Sequence, residues 1–507
     1  MNKFLKYIFC SILFCSSLAF ISGCANNSGN TDNSVSSETS KETSKKDYDL
    51  LVFNGDSSIA ENFKKMCEEY SNRTGVIVKG ITANEETDSI EQLRDYMKTS
   101  NQPDVFTVNN MKELKEWQES GNILDFSNAS EESFKKMVNE IPQNLRLSSN
   151  NVDSFGVPCT IQGYGYLVDP KMLSSLFGGD KYRSVLNDLK ECTYDEFEGF
   201  ISAVDLFIKG GGVYEINLNA HKYSLLPEKS GISENLNGVF SFAAGDEKET
   251  GTYMLNIPLA ATFNSAADAN MASEDKINKL EKPLIEFAQA LDVRTNSVSG
   301  KNSSLSRGVS LIDSVNNSYK QAIKNFVNGK SVFMLNGTWA YNDIAVYDSS
   351  VAKRLTFIPI KMPIEETDIS AENMTVEKLN TSITVSAPMY YSINAKSSDN
   401  ERKLAQDFLT WLKTSELGKK YLIQEFSYVP YDIQDSNVID NPLSRDMITY
   451  LEEKHTLPAV YDGTPEGWGN TYIGKYMVEQ YYTKASWFYS DYEKIAEYAI
   501  SKWKEIK

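Results

Sequence analysis

Between residues 48 and 121, apolar strand-like runs alternate with stretches of helical period, and this alternation limits the possible folds more than any other feature of the 507 residues. Tyr48-Asp49-Leu50-Leu51-Val52-Phe53 reads as a buried strand, and Asn54-Gly55-Asp56 as the turn that ends it. The following stretch, 59–72, carries apolar side chains at Ile59, Phe63, Met66, Cys67 and Tyr70, the spacing of a helix with one buried face. Thr74-Gly75 stops it and Val76-Ile77-Val78 opens another strand. A helix over 90–99, a strand over 104–108 and a helix over 111–120 continue the pattern. Strands and helices alternating at this spacing predict an α/β fold with a mostly parallel, helix-covered sheet. Ligands bind such sheets beyond the carboxyl ends of the strands, which makes Asn54, Asp56, Asn109 and Asn110 candidates.

What precedes this region has a different character. Lys3 and Lys6 are followed by an apolar run over 7–21, too short and wrongly flanked for a membrane-spanning helix, and then by Ile21-Ser22-Gly23-Cys24. A secretory signal over 1–23 is expected, with Cys24 the residue that receives lipid, since an apolar residue and two small ones before a cysteine resemble a bacterial lipobox. Residues 24–47 are almost wholly Asn, Ser, Thr, Gly, Lys, Glu and Asp, too polar to offset the entropy of ordering, and are expected to be a flexible tether. The formal charge of −18 becomes two units more negative once Lys3 and Lys6 leave, which opposes nucleic-acid phosphates and anionic headgroups. Beyond Cys24 only Cys67, Cys159 and Cys192 remain, too few for a disulfide framework, and they read as small buried residues, with a single pair the alternative.

Farther along, 154–169 is rich in Gly, Tyr and β-formers, as a chain crossing between lobes would be. A helix over 194–209 ends at Gly210-Gly211-Gly212. From 213 to 306 the pattern blurs into loops with one helix over 274–291. Val332-Phe333-Met334-Leu335 is a buried strand, 365–384 a polar surface insertion, and 400–414 and 415–425 are helices. The stretch 475–507 is helical and aromatic, and there is no internal repeat.

Several segments, in one order, resemble the solute-binding proteins of ATP-binding-cassette sugar importers, the maltose-binding group among them. They include Phe53-Asn54-Gly55-Asp56, Gln102-Pro103-Asp104-Val105-Phe106, Phe155-Gly156-Val157-Pro158 leading into Gly163-Tyr164-Gly165-Tyr166, Phe333-Met334-Leu335-Asn336-Gly337-Thr338-Trp339, and Ala405-Gln406-Asp407-Phe408-Leu409 through Val429-Pro430. Each is weak alone; their shared order over about three quarters of residues 24–507 carries the resemblance. It implies a two-lobed periplasmic-binding-protein-like fold with a hinge and an interlobe cleft, residues 48–158 and 389–428 forming one lobe and 159–388 and 429–507 the other. It also implies extracytoplasmic capture of a carbohydrate by a lipid-anchored monomer, with the importer's permease subunits as protein partners and no cofactor, metal or nucleic acid.

A neutral sugar needs carboxylates and amides for its hydroxyls and flat rings for its C–H faces. The resemblance assigns sugar stacking to Trp339 and Tyr164, and Gln162 joins them by its place beside Tyr164. Of Tyr390 and Tyr391 at the second crossing, strand alternation lets at most one face the cleft, and we assign Tyr391. Trp468, between Gly467 and Gly469, is expected on a loop, where an indole needs a partner. Asn54, Asp56 and Asn109 complete the candidate set. His221 and His455 are the only histidines and form no zinc-binding pair, and there is no G-x-S-x-G elbow, P-loop or glycine-rich nucleotide fingerprint. The alternatives are a binder of peptide, polyamine or another polar solute, a carbohydrate-active enzyme with paired carboxylates, and a static adhesin.

Overall fold

The computed structural model describes residues 46–300 and 305–507. The expected leader, Cys24 and nearly all of the expected tether lie outside them. The first strand, β1 (Leu50–Asn54), is buried along its whole length and pairs in parallel with β2 (Val78–Thr82) and β3 (Val105–Val108). The connecting helix Ala60–Thr74 buries Phe63, Met66, Cys67 and Tyr70, one stripe of its surface, and ends at Gly75 with φ of 78°. Fully burying each of the larger apolar side chains contributes about 1.5–3 kcal/mol, and glycine takes the left-handed cap conformation at the least cost. Asn110 accepts from the backbone N–H groups of Lys112 and Glu113 and so starts the helix Met111–Glu119.

Beyond β3 the sheet ceases to be parallel. Its order is β2, β1, β3, β10 (Ile383–Ile393), β4 (Val157–Val168), β8 (Phe333–Gly337) and β7 (Phe240–Ser241), with β9 (Thr356–Ile358) attached to β4 and β11 (Thr456–Pro458) to β10. The two long strands β4 (Val157–Val168) and β10 (Ile383–Ile393) run antiparallel through its middle. β10 is also antiparallel to β3, and β4 to β8 (Phe333–Gly337) and β9 (Thr356–Ile358). Parallel pairing returns where β7 (Phe240–Ser241) meets β8 and β11 (Thr456–Pro458) meets β10. The parallel expectation therefore holds among the N-terminal strands and at the two short strands β7 and β11, while the middle is antiparallel; the sheet as a whole is mixed. The chain passes one way along β4 and back along β10, and two such passes side by side are antiparallel by necessity. A third pass lies against them: the Ile161 N–H donates to the Val429 carbonyl at 2.8 Å, and the Val429 N–H to Thr160 Oγ1 at 2.9 Å.

Three buried clusters flank the sheet. One gathers Tyr166, Phe197, Phe240, Leu284, Trp468 and Trp503. A second joins Leu50, Phe63, Tyr391 and Phe408 and continues to Phe326, Ile344 and Met447. A smaller one holds Phe53, Phe106, Trp117 and Tyr390. Cys67, Cys159 and Cys192 are buried free thiols.

The stretch that reads as loops is structured. It contains a two-stranded sheet, β5 (Glu215–Leu218) with β6 (His221–Ser224), and the short helices Glu247–Gly251, Asn256–Thr262 and Ala266–Asn270. The expected helix over 274–291 is two helices, Glu274–Asn278 and Glu281–Thr295. The C-terminal stretch is likewise divided, Met477–Tyr481 preceding the helix Tyr489–Ile506. Segments this short carry too few turns to display a helical period. Among the described residues no helix is long and apolar enough to cross a membrane.

Candidate functional site

The candidate site grows out of the middle of the sheet. On β4, Gln162 and Tyr164 share a face because strand side chains alternate, and opposite them on β10 stand Ser386 and Thr384. Tyr164 also faces Gly337 at the end of β8, two residues before Trp339. The Thr338 N–H donates to the Gly163 carbonyl at 2.9 Å, which turns the chain back over the sheet. A Cβ at Gly337 would lie 2.1 Å from the Trp339 ring, so the indole occupies space that only glycine leaves open.

Three rings meet there. Tyr253 lies 5.0 Å from Tyr164 and 5.4 Å from Trp339, centre to centre, and Tyr164 lies 6.3 Å from Trp339. With Gln162, Thr252, Ser386, Tyr461 and Asp462 they line a recess of about 220 Å³. Asp462 is half-buried, and burial pushes its carboxyl up to about 6, with Lys112 pulling the other way. Its loop is fixed from beneath by fully buried Asn256. That amide donates to Thr384 Oγ1 at 3.0 Å and to the Pro458 carbonyl at 2.9 Å, and accepts from the Tyr461 N–H at 3.0 Å.

Ser386, Ala459 and Asp462 also line an adjoining recess, together with Asn109, Asn110, Arg146 and Tyr390. Asn109 faces it with its amide nitrogen and its own backbone N–H both held by Glu113, at 3.1 and 2.8 Å. The recess is closed on one side where Ser265 donates to Asn151 Oδ1 at 2.7 Å.

The remaining candidates lie elsewhere. Asn54 is fully buried and its amide donates to the Asp56 carbonyl at 2.7 Å. Asp56 caps the turn Ser57–Ile59, accepting from the Ser58 N–H and hydroxyl, and its other oxygen accepts from the Tyr428 hydroxyl at 2.8 Å. Both side chains are occupied by local structure and line neither recess. Tyr391 is 1% exposed and points into the core, whereas its neighbour Tyr390 lines the recess. Tyr390 stands four residues beyond Ser386 on the same side of β10, so alternation counted from Ser386 selects Tyr390, and the assignment of Tyr391 is corrected. Trp468 is not on an exposed loop: it is fully buried, donates to the Ala499 carbonyl at 2.7 Å and meets Trp503 edge-on at 4.7 Å. Gly469 serves packing, since a Cβ there would lie 1.9 Å from the Gly251 carbonyl oxygen, while Gly467 takes a left-handed φ of 73°.

Sequence reasoning missed Tyr253, Tyr461 and Asp462. The first sits where no periodicity is visible, and the others in a turn-rich segment, Tyr461-Asp462-Gly463, that reads as surface. Among the described residues no group of His, Cys, Asp and Glu is arranged to hold a metal ion. A platform of aromatic rings edged by a carboxylate and side-chain amides can stack on a flat apolar face while hydrogen-bonding to its polar edge.

The sequence matches the family of bacterial extracellular solute-binding proteins over residues 65–432, and the chain belongs to that family. Solved structures sharing the fold are two-lobed solute-binding proteins. Ligand-free RafE from Streptococcus pneumoniae is 17% identical, with a TM-score of 0.59 over 90% of this chain and 97% of that one. RafE in complex with raffinose gives a TM-score of 0.53 at 17% identity, covering 90% of this chain and 99% of that one. A cyclo/maltodextrin-binding protein complexed with maltotetraose is 15% identical, with a TM-score of 0.52 over 91% of this chain and 98% of that one. No curated protein sequence matches the chain.

Proposed function

We propose that the protein captures an oligosaccharide outside the cell and delivers it to an ATP-binding-cassette importer by hinge closure, as a monomeric lipoprotein anchored through Cys24 after removal of residues 1–23. The observation that carries this reading is the platform of Tyr164, Tyr253 and Trp339 facing Asp462 and Gln162. Rings bind the C–H faces of sugars, and a carboxylate and an amide take their hydroxyls, whereas a polyamine site calls for several carboxylates. The fold relatives solved with raffinose and with maltotetraose support the same ligand class. The family is a solute-binding class, in keeping with capture rather than catalysis.

The hinge consists of β4, β10 and the pass around Val429, the places where the two lobes exchange chain. One lobe comprises 48–158 and 389–428 and the other 159–388 and 429–507. Closure of two lobes over a ligand is a known transition of binding proteins. Permease subunits are the partners that distinguish the closed form.

The test is thermal shift against oligosaccharides, amino acids, peptides and polyamines, since a ligand that binds only the folded state raises the melting temperature. A rise with one sugar family, abolished by Trp339→Ala, is expected. A rise with peptides or polyamines alone overturns the sugar assignment.

A further inference from the structure

The second recess, of about 40 Å³, has a further neighbour past the Ser265–Asn151 hydrogen bond. Gln143, Asn144, Asn151, Ser265 and Pro458 line both that recess and a third, of about 630 Å³, on its far side from the aromatic platform. The third recess is built by chain that the sequence presents as loops and polar insertion: Asn264 from one stretch, Met374 and Lys378 from another. Among the described residues its single aromatic ring is Tyr431, and side-chain amides, with two lysines, dominate its polar wall.

The lysines distinguish it. In a chain of formal charge −18, Lys378 and Lys454 face one recess, and among the described residues neither ammonium has an ion-pair or hydrogen-bond partner. Glu377, Glu452 and Glu453 adjoin them in sequence without pairing with them. Among the described residues the only carboxylate on the wall is Glu372, which is exposed. Lys378 is half-buried on the helix Val376–Thr381. Lys454 stands at φ of 63°, a left-handed position where glycine or asparagine costs less. It is exposed and lies two residues beyond the helix Pro442–Glu452.

We propose that this third recess is an anion-reading subsite of the same cleft, where Lys378 and Lys454 receive a carboxylate or sulfate carried by the distal end of the oligosaccharide. The inference rests on the sugar reading of the platform. The platform seats the neutral portion by stacking; the amides hold the intervening hydroxyls; the two ammoniums select the charged end. A uronic acid and a sulfate ester offer the same anionic oxygens to the lysines, and the ligand panel separates them.

The experiment is titration calorimetry of the purified chain with neutral oligosaccharides, the same chains ended by a uronic acid, and sulfate esters of the same length. Tighter binding of one acidic set is expected. The Lys378→Ala/Lys454→Ala variant loses that preference, by about tenfold for two partly exposed charge contacts, and keeps its affinity for the neutral set. Raising the ionic strength shrinks the preference in the parent and leaves the variant unchanged. Equal affinity for neutral and acidic sets overturns the anion subsite alone. Failure of every saccharide to bind, with Trp339→Ala indistinguishable from the parent, overturns the platform reading and this inference with it.

Discussion

Asp462 and Trp339 divide the work of the candidate site between a hydrogen-bond acceptor and an apolar plate. Burial raises the Asp462 carboxyl from its ordinary 3.8 to about 6. The folded chain therefore holds this proton more tightly than the unfolded one. The group's contribution to stability is most favourable below about pH 4 and declines as pH rises to about 6, where the carboxylate forms in a partly desolvated place. Ligand binding runs the other way, because the ionised group accepts two or more hydroxyls and the protonated one fewer. Affinity is expected to fall as pH is lowered through about 6, measured by calorimetry at several pH values. Asp462→Asn should flatten that profile, weaken binding at pH 7 and raise the ligand-free melting temperature. Trp339→Ala is expected to reduce sugar affinity by about tenfold or more and to lower the ligand-free melting temperature less than truncation of fully buried Trp468 would, since the indole is only half-buried.

Among the elements, the turn after β8 and the loop after β11 hold the site in shape. Gly337 leaves the space that the Trp339 ring fills, and Gly337→Ala should displace the indole. Its expected signature is loss of sugar binding with a changed tryptophan emission spectrum, in a chain whose circular dichroism is otherwise that of the parent. Asn256 acts from below. Asn256→Ala leaves the Tyr461 N–H and the Pro458 carbonyl without this partner, at a cost of about 1–3 kcal/mol. Denaturant titration measures the cost, and a loss of affinity out of proportion to it would locate the effect in the Asp462 loop. Trp468 is the contrasting case. Packed on Trp503 and hydrogen-bonded to Ala499, it should cost about 3–5 kcal/mol on truncation to alanine. In a chain that still folds, the intrinsic sugar affinity should be unchanged.

At the scale of the whole molecule, the proposed hinge is three neighbouring passes of chain, where small changes in backbone angles are expected to open or close the proposed cleft. Small-angle scattering is expected to record a smaller radius of gyration on saturation with the oligosaccharide found by thermal shift. An unchanged radius would favour a static adhesin. The strand-helix alternation from Leu50 to Glu119, the buried stripe of the helix Ala60–Thr74, β8 and the helix Asp399–Thr414 were all legible in the sequence, because local hydrophobic period encodes them. So was the grouping of Gln162, Tyr164 and Trp339, through a family resemblance for the two rings and the nearness of Gln162 to Tyr164 in sequence. Three things were decided only by the tertiary structure. Packing chose between Tyr390 and Tyr391, because which face of β10 meets the core is set by the elements laid against it and not by its own residues. Long-range contact brought Tyr253 and Asp462 to Tyr164 and Trp339 from segments without local signal. And burial against Ala499 and Trp503 made Trp468 part of the core, since flanking glycines mark close backbone approach as readily as they mark a loop. Period is a property of neighbours in sequence; a binding site is a property of neighbours in space, and only folding makes the second from the first.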